Sequence, residues 1–254
     1  MNHVRQETGV DVLMSTKHAA LAPLIAVIGC DGAGKSTVSE ASLAWLRSSY
    51  GPATAAHLGK QAGNVARVIA RLPVVGPRLD HAIQRKVDRT RELSARRSPG
   101  LFAALVISVF SLRSRRRFRR MMALRRQGLI IVTDRYPQLE VPGAYDGPDL
   151  SVAASGSAIV RWLARREQAG YEWMTRFRPD LVIRLNVDLQ TAHARKPDHR
   201  RDLLSVRIAA TPRLKFSGAP IVDVDATRPL AEVMSAAKAA AAASLAERGY
   251  RPRP

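Results

Sequence analysis

Gly29-Cys30-Asp31-Gly32-Ala33-Gly34-Lys35-Ser36 is the stretch on which the fold turns. It follows the pattern of a glycine, four free positions, then Gly-Lys-Ser. The glycines let the backbone turn and approach a phosphate with no Cβ in the way. Loop N–H groups and the start of the next helix offer donors and positive potential to an anion. Lys35 is placed to reach the β- and γ-phosphates of ATP, and the Ser36 hydroxyl to help hold Mg²⁺. The flanks match the motif. Leu24–Ile28 is an apolar run that reads as a buried strand. Ser36–Tyr50 has helical spacing, with Val38, Leu43 and Leu46 on one face, and Gly51-Pro52 stops it.

Working outward, Ala53–Leu58 reads as a second strand, and residues 60–100 as short helices broken by Gly and Pro. Leu101–Gln127 reads as one long helix closed by Gly128. Leu129–Thr133 is a third strand, Pro137–Ser157 a loop, and Ala158–Phe177 a helix. Leu181–Val187 is a fourth strand. Residues 189–215 are polar and basic and are expected to form a mobile segment. Ile221–Val224 is a fifth strand, and Arg228–Arg248 an Ala-rich closing helix. Strands alternating with helices predict a parallel sheet covered on both faces. Residues 1–20 read as a flexible leader, and 21–254 as a single domain with an expanded helical region at about 60–127 and a basic lid at about 189–215.

Composition narrows the setting. Lys plus Arg is 41 against 21 for Asp plus Glu, a net charge of +20, which favours an anionic partner. One cysteine, Cys30, rules out an intrachain disulfide and agrees with a reducing cytosol. Met1–Lys17 has no apolar core of a signal peptide, and the apolar run Leu101–Leu112 is too short to span a bilayer. A cytoplasmic protein, soluble or peripheral at the membrane, is the expectation. Aromatic residues make up 5 %, too few for a base-stacking platform, and no nucleic-acid reader motif is present. Nothing in the sequence sets the oligomeric state, and a homodimer is left open.

Asp134-Arg135-Tyr136 follows the third strand. Ligands of parallel sheets bind at the carboxyl ends of strands, so Asp134 should lie near the phosphate loop. There it can hold Mg²⁺ through water, orient an acceptor, or simply cap a loop.

With this triplet beside Gly29–Thr37, the chain resembles the thymidylate kinase family of nucleoside-monophosphate kinases. Ala144-Tyr145-Asp146-Gly147, Pro179–Ile183 with Leu185–Asp188, and Val222–Ala226 add to the likeness, as do Gly128 and Arg113. The resemblance implies a P-loop NTPase three-layer sandwich with a five-stranded parallel sheet. It implies ATP bound by Gly29, Asp31, Gly32, Ala33, Gly34, Lys35, Ser36 and Thr37, and Mg²⁺ organised by Ser36 and Asp134. It implies an arginine-bearing lid. The loop itself has no arginine, so Arg195, Lys196, Arg200 and Arg201 are the lid candidates, and Arg195 is expected to be catalytic beside Lys35, Asp134 and Arg135. On the acceptor side the expected residues are His57, Arg113, Arg117, Arg135, Tyr136 and Tyr145. One departure stands out. His57-Leu58-Gly59-Lys60 occupies the place where the family carries an acceptor-side carboxylate, so the acceptor is expected to differ from thymidine monophosphate. Such sequences resemble a branch linked to surface polysaccharide production, which implies an anionic, phosphorylated or lipid-linked acceptor. A true thymidine-monophosphate kinase and a nucleotide-binding scaffold without transfer are the alternatives.

Arg113, Arg116, Arg117 and Arg120 share one face of the long helix. Phe118, Met121 and Met122 give it a narrow apolar stripe. Three readings stay open at this point: an acceptor site, a helix lying on anionic lipid, and a solvated basic face.

Overall fold

The computed structural model describes residues 21–58, 100–142, 145–150, 152 and 157–253. The expected leader, the expected short helices of 60–99, Gly59, Lys60 and Ala144 lie outside these.

Five strands form one sheet: β1 (Leu24–Gly29), β2 (Ala53–Ala56), β3 (Ile130–Thr133), β4 (Leu181–Asn186) and β5 (Ile221–Asp225). All neighbours are parallel, in the order β2-β3-β1-β4-β5. The described helices are α1 (Lys35–Ser49), α2 (Leu101–Arg126), α3 (Ala158–Thr175), α4 (Leu189–Arg195), α5 (Arg201–Ala210) and α6 (Leu230–Glu247). This is the α/β P-loop sandwich with a five-stranded parallel sheet that the resemblance implies.

The sheet is apolar on both faces because helices cover both. Side chains alternate along β1. Ile25 and Val27 face Val38 and Leu46 of α1 and Ala237, Ala241 and Leu245 of α6. Leu24, Ala26 and Ile28 face Phe118, Met121 and Met122 of α2 and Tyr171 and Met174 of α3. The stripe Phe118-Met121-Met122 is therefore core and is not free to enter lipid, which removes the basis of the lipid-surface reading at that stripe. Gly128 (φ 86°) ends α2, with the Leu129 N–H donating to the Leu124 carbonyl at 3.2 Å.

Asp180 ties the layers together. It accepts from the Leu24 N–H and from Arg125, each at 2.7 Å, and pairs with Arg248. Arg125 is 4 % exposed, and its Nε also donates to the Ala22 carbonyl.

The largest departure from expectation is 189–215. Its polar composition suggested a mobile loop, yet it folds as α4 and α5 followed by a 3₁₀ turn (Thr211–Arg213). Asp188 starts α4 by accepting from the Thr191 N–H at 2.8 Å. A few apolar side chains, Ala192, Leu204, Ala210 and Leu214, are buried and anchor the pair. They are too sparse to give a visible period among the charges.

Among the described residues no helix is long and apolar enough to cross a membrane.

Candidate functional site

β1 is central and pairs with β3 through Ala26 and Thr133. The chain leaves β1 toward β2 and β3 on one side, then crosses back to β4 on the other. The loop Gly29–Ser36 and the turn Asp134-Arg135 thus emerge side by side at the carboxyl edge, at the sheet's topological switch point.

The loop is built by its glycines. Gly32 has φ 86°, and a Cβ there would lie 2.6 Å from the Ala192 carbonyl oxygen of α4. Gly34, also at φ 86°, caps α1, and the space where its Cβ would sit is open. A phosphate oxygen can therefore approach the backbone at Gly34. Lys35 Nζ donates to the Cys30 carbonyl at 2.8 Å and lies 3.7 Å from Asp31 Oδ1. Burial, and secondly the Arg135 guanidinium, push Lys35 down to about 8. A buried cation short of counter-charge is what an incoming polyphosphate would satisfy. Ser36 and Thr37, in the first turn of α1, are exposed.

Asp31 gathers cations. Arg207 of α5 binds its carboxylate, and His199 Nδ1 lies 3.7 Å from it. Arg207 was absent from the sequence reading. The signal was its helical position among Leu203, Leu204 and Ile208, which the loop assignment hid. Arg195 does reach the phosphate loop, but its guanidinium donates to the carbonyls of Gly32 (3.3 Å) and Ala226 (2.9 Å). Arg200 pairs with its own neighbour Asp202. Lys196 and Arg201 are exposed.

At β3, Asp134 Oδ1 lies 3.4 Å from His57 Nδ1, and His57 is 72 % exposed. Two residues expected on sequence grounds to serve metal and acceptor are thus neighbours. Arg135 Nη1 lies 3.5 Å from Asp146 Oδ1. The Tyr145 hydroxyl meets the Arg207 carbonyl and the Thr211 hydroxyl, joining this segment to α5. Burial pushes its pKa well above the usual phenol value. Tyr136 is 2 % exposed, and its hydroxyl donates to the Phe177 carbonyl. It packs in the core and its hydroxyl is already engaged, so it does not present a donor to the site. Arg113 and Arg117 are exposed on α2.

Glu167 of α3 was also absent from the sequence reading. Buried, it accepts from Ser111 Oγ at 2.6 Å and from the N–H groups of Asp149 (3.2 Å) and Leu150 (2.8 Å). It fixes the loop that carries Tyr145 and Asp146 onto α2 and α3.

No family model matches the chain. Two curated proteins of Escherichia coli K12 do. The uncharacterized ATP-binding protein YghS is 39 % identical over 233 residues, covering 91 % of this chain and 98 % of that protein. The uncharacterized ATP-binding protein YghR is 37 % identical over 218 residues, covering 85 % and 86 % respectively.

Proposed function

The chain belongs to the family of ATP-binding P-loop proteins that includes YghS and YghR, and from that premise we propose that it is an ATP- and Mg²⁺-dependent phosphotransferase of the thymidylate-kinase-like group. The observation that carries this is the convergence of Lys35, Arg207, Asp134 and Arg135 at the carboxyl ends of β1 and β3.

Bound ATP supplies the transferable phosphoryl group, and Mg²⁺ screens its charge. The residues present fit both. The loop is open beside Gly34, its lysine is under-neutralised, and hydroxyl and carboxylate oxygens suited to Mg²⁺ stand at Ser36 and Asp134. Gly29, Asp31, Gly32, Ala33, Gly34 and Thr37 complete the nucleotide cradle. Lys35 holds the β- and γ-phosphates. Arg207 takes the role of lid cation. Arg195, engaged with two carbonyls, braces the loop against the turn after β5. Asp31 positions Arg207 over the loop. Phosphoryl transfer asks chiefly for positioning and charge compensation, and these groups supply both.

Arg135, His57, Arg113, Arg117 and Tyr145 mark the acceptor side. Their charge favours an anionic acceptor, and the lack of an acidic residue in the stretch His57-Leu58-Gly59-Lys60 argues against thymidine monophosphate. The class proposed is a phosphorylated glycan or lipid-linked sugar, in keeping with a place in surface polysaccharide synthesis.

Purified protein with Mg-ATP should release ADP in proportion to at least one acceptor from a panel of nucleoside monophosphates, sugar phosphates and lipid-linked sugar phosphates. Arg207→Ala should bind ATP yet lose turnover. Tight ATP binding with no acceptor-dependent ADP would point to a scaffold instead and overturn the kinase reading.

A further inference from the structure

Helix α2 outreaches the sheet it covers. Its 26 residues rise about 39 Å, whereas β3 has four residues. Ser114 Oγ donates to the carbonyl of Leu58, just past the carboxyl end of β2, at 3.3 Å. Residues 101–112 therefore project beyond the end of the sheet that carries the phosphate loop. Helix α3 runs parallel beside this overhang. Ala104 packs with Val160 and Ala164, Ser111 meets Glu167, Arg115 lies over Gly170, and Phe118 meets Trp173.

The inner side of the overhang is packed, with Ala104 buried. Its outer side is apolar. Phe102, Leu105, Val109 and Leu112 recur at i, i+3, i+7 and i+10, so they share a face, and all four are exposed, Phe102 at 55 %. On the matching half of α3, Ile159 and Trp162 are exposed as well, Trp162 at 48 %. Clustered apolar exposure of this kind marks a contact surface.

The charge around it selects the partner. Helix α2 contains no acidic residue, and the same face turns basic toward its C-terminus, with Arg113, Arg116, Arg119 and Arg120 exposed. The Arg166 guanidinium lies over the Trp162 ring at 4.8 Å, and that of Arg119 over Trp173 at 5.5 Å. An apolar wedge bordered by tryptophan and arginine matches a bilayer interface. Aliphatic side chains enter the acyl boundary, tryptophan sits at headgroup level, and arginine meets lipid phosphate. A nucleic acid would satisfy the arginines but leave the leucines and valine in water.

We propose that the overhanging ends of α2 and α3 dock the protein on an anionic membrane. Phe102, Leu105, Val109, Leu112 and Trp162 enter the interface, and Arg116 and Arg119 lie on lipid phosphates. Docking in this way brings the phosphate-loop end of the sheet, past which the stripe projects, close to the membrane surface, where an acceptor carried by a lipid would be. The proposal is independent of what the loop binds.

The test is co-sedimentation of the full chain with vesicles of phosphatidylcholine alone and with about 30 % phosphatidylglycerol. Binding to the anionic vesicles is expected, weak or absent on the neutral ones. Leu105→Ser/Val109→Ser, which leaves the charge unchanged, should weaken it at least about tenfold. Trp162→Ser, on the other helix, should weaken it too. Both variants replace exposed residues, and unchanged melting temperatures confirm the fold. Three results would each overturn the proposal: no binding of the wild type at low salt; binding that ignores both neutral variants, which is mere adsorption of a basic protein; or loss of self-association in the variants while the wild type ignores vesicles, which assigns the face to a second copy.

Discussion

Lys35 offers a quantitative handle on the proposed nucleotide site. Its pKa lies at about 8 in the free protein, lowered first by burial and then by Arg135. A bound triphosphate supplies the missing counter-charge and should return it toward the ordinary value of about 10.4. The sign follows from linkage. The free protein gives up the Lys35 proton as pH rises through 8, and the complex keeps it, so binding takes up a proton and weakens as pH rises. At pH 7 about nine-tenths of free Lys35 is charged, and at pH 9 about one-tenth. Affinity should therefore fall about tenfold between those values, about 1.4 kcal/mol. The nucleotide's own phosphate, with a second pKa of about 6, is already ionised and adds little. Titration calorimetry in buffers of different ionisation enthalpy should register a net proton uptake on nucleotide binding at about pH 8.5. Lys35→Arg, which stays charged, should flatten the profile. An affinity constant from pH 7 to pH 9, with no proton uptake, would refute the assignment of Lys35 to the phosphates.

Other perturbations test separate parts of the structure. Gly32→Ala places a Cβ against the Ala192 carbonyl in a left-handed conformation, so it should abolish nucleotide binding measured by fluorescence titration while the sheet stays folded. Arg207→Ala should lower kcat by about 10³-fold or more with little change in ATP affinity, the behaviour of a group acting on the transferred charge. Asp180→Ala strands the buried Arg125 and should cost about 3–5 kcal/mol in urea unfolding. Glu167→Ala removes the acceptor that Ser111 and two backbone N–H groups share, with an expected loss of about 2–3 kcal/mol in the same assay.

The sheet was legible because β1 and β3 are buried throughout, and β4 is buried but for Arg184 and Asn186, so they read as largely apolar runs beside a motif with its own geometry. Their ends moved by only a residue or two. The turn geometry at the start of α1 was legible for the same reason, since Gly32 and Gly34 shape the local backbone and Lys35 folds back onto it. Less could be read where tertiary contacts decide. Helices α4 and α5 are held by scattered buried residues such as Leu204, so 189–215 looked like loop and Arg207 went unnoticed. Tyr136 sits in a motif beside the site, yet its hydroxyl is engaged by Phe177, 41 residues away. The pairing of His57 with Asp134 spans 77 residues and has no local signature. Periodicity found the stripe Phe118-Met121-Met122 but could not tell a face turned to the sheet from one turned to lipid.

The central claim is transfer of a phosphoryl group, and following the label tests it most directly. With ATP labelled at the γ-phosphate, Mg²⁺ and an anionic glycan or lipid-linked sugar fraction, the account predicts label in a covalent product, lost in Lys35→Ala and Arg207→Ala. Label found only in intact ATP or in free phosphate across all acceptor fractions, with the nucleotide still bound, would contradict it.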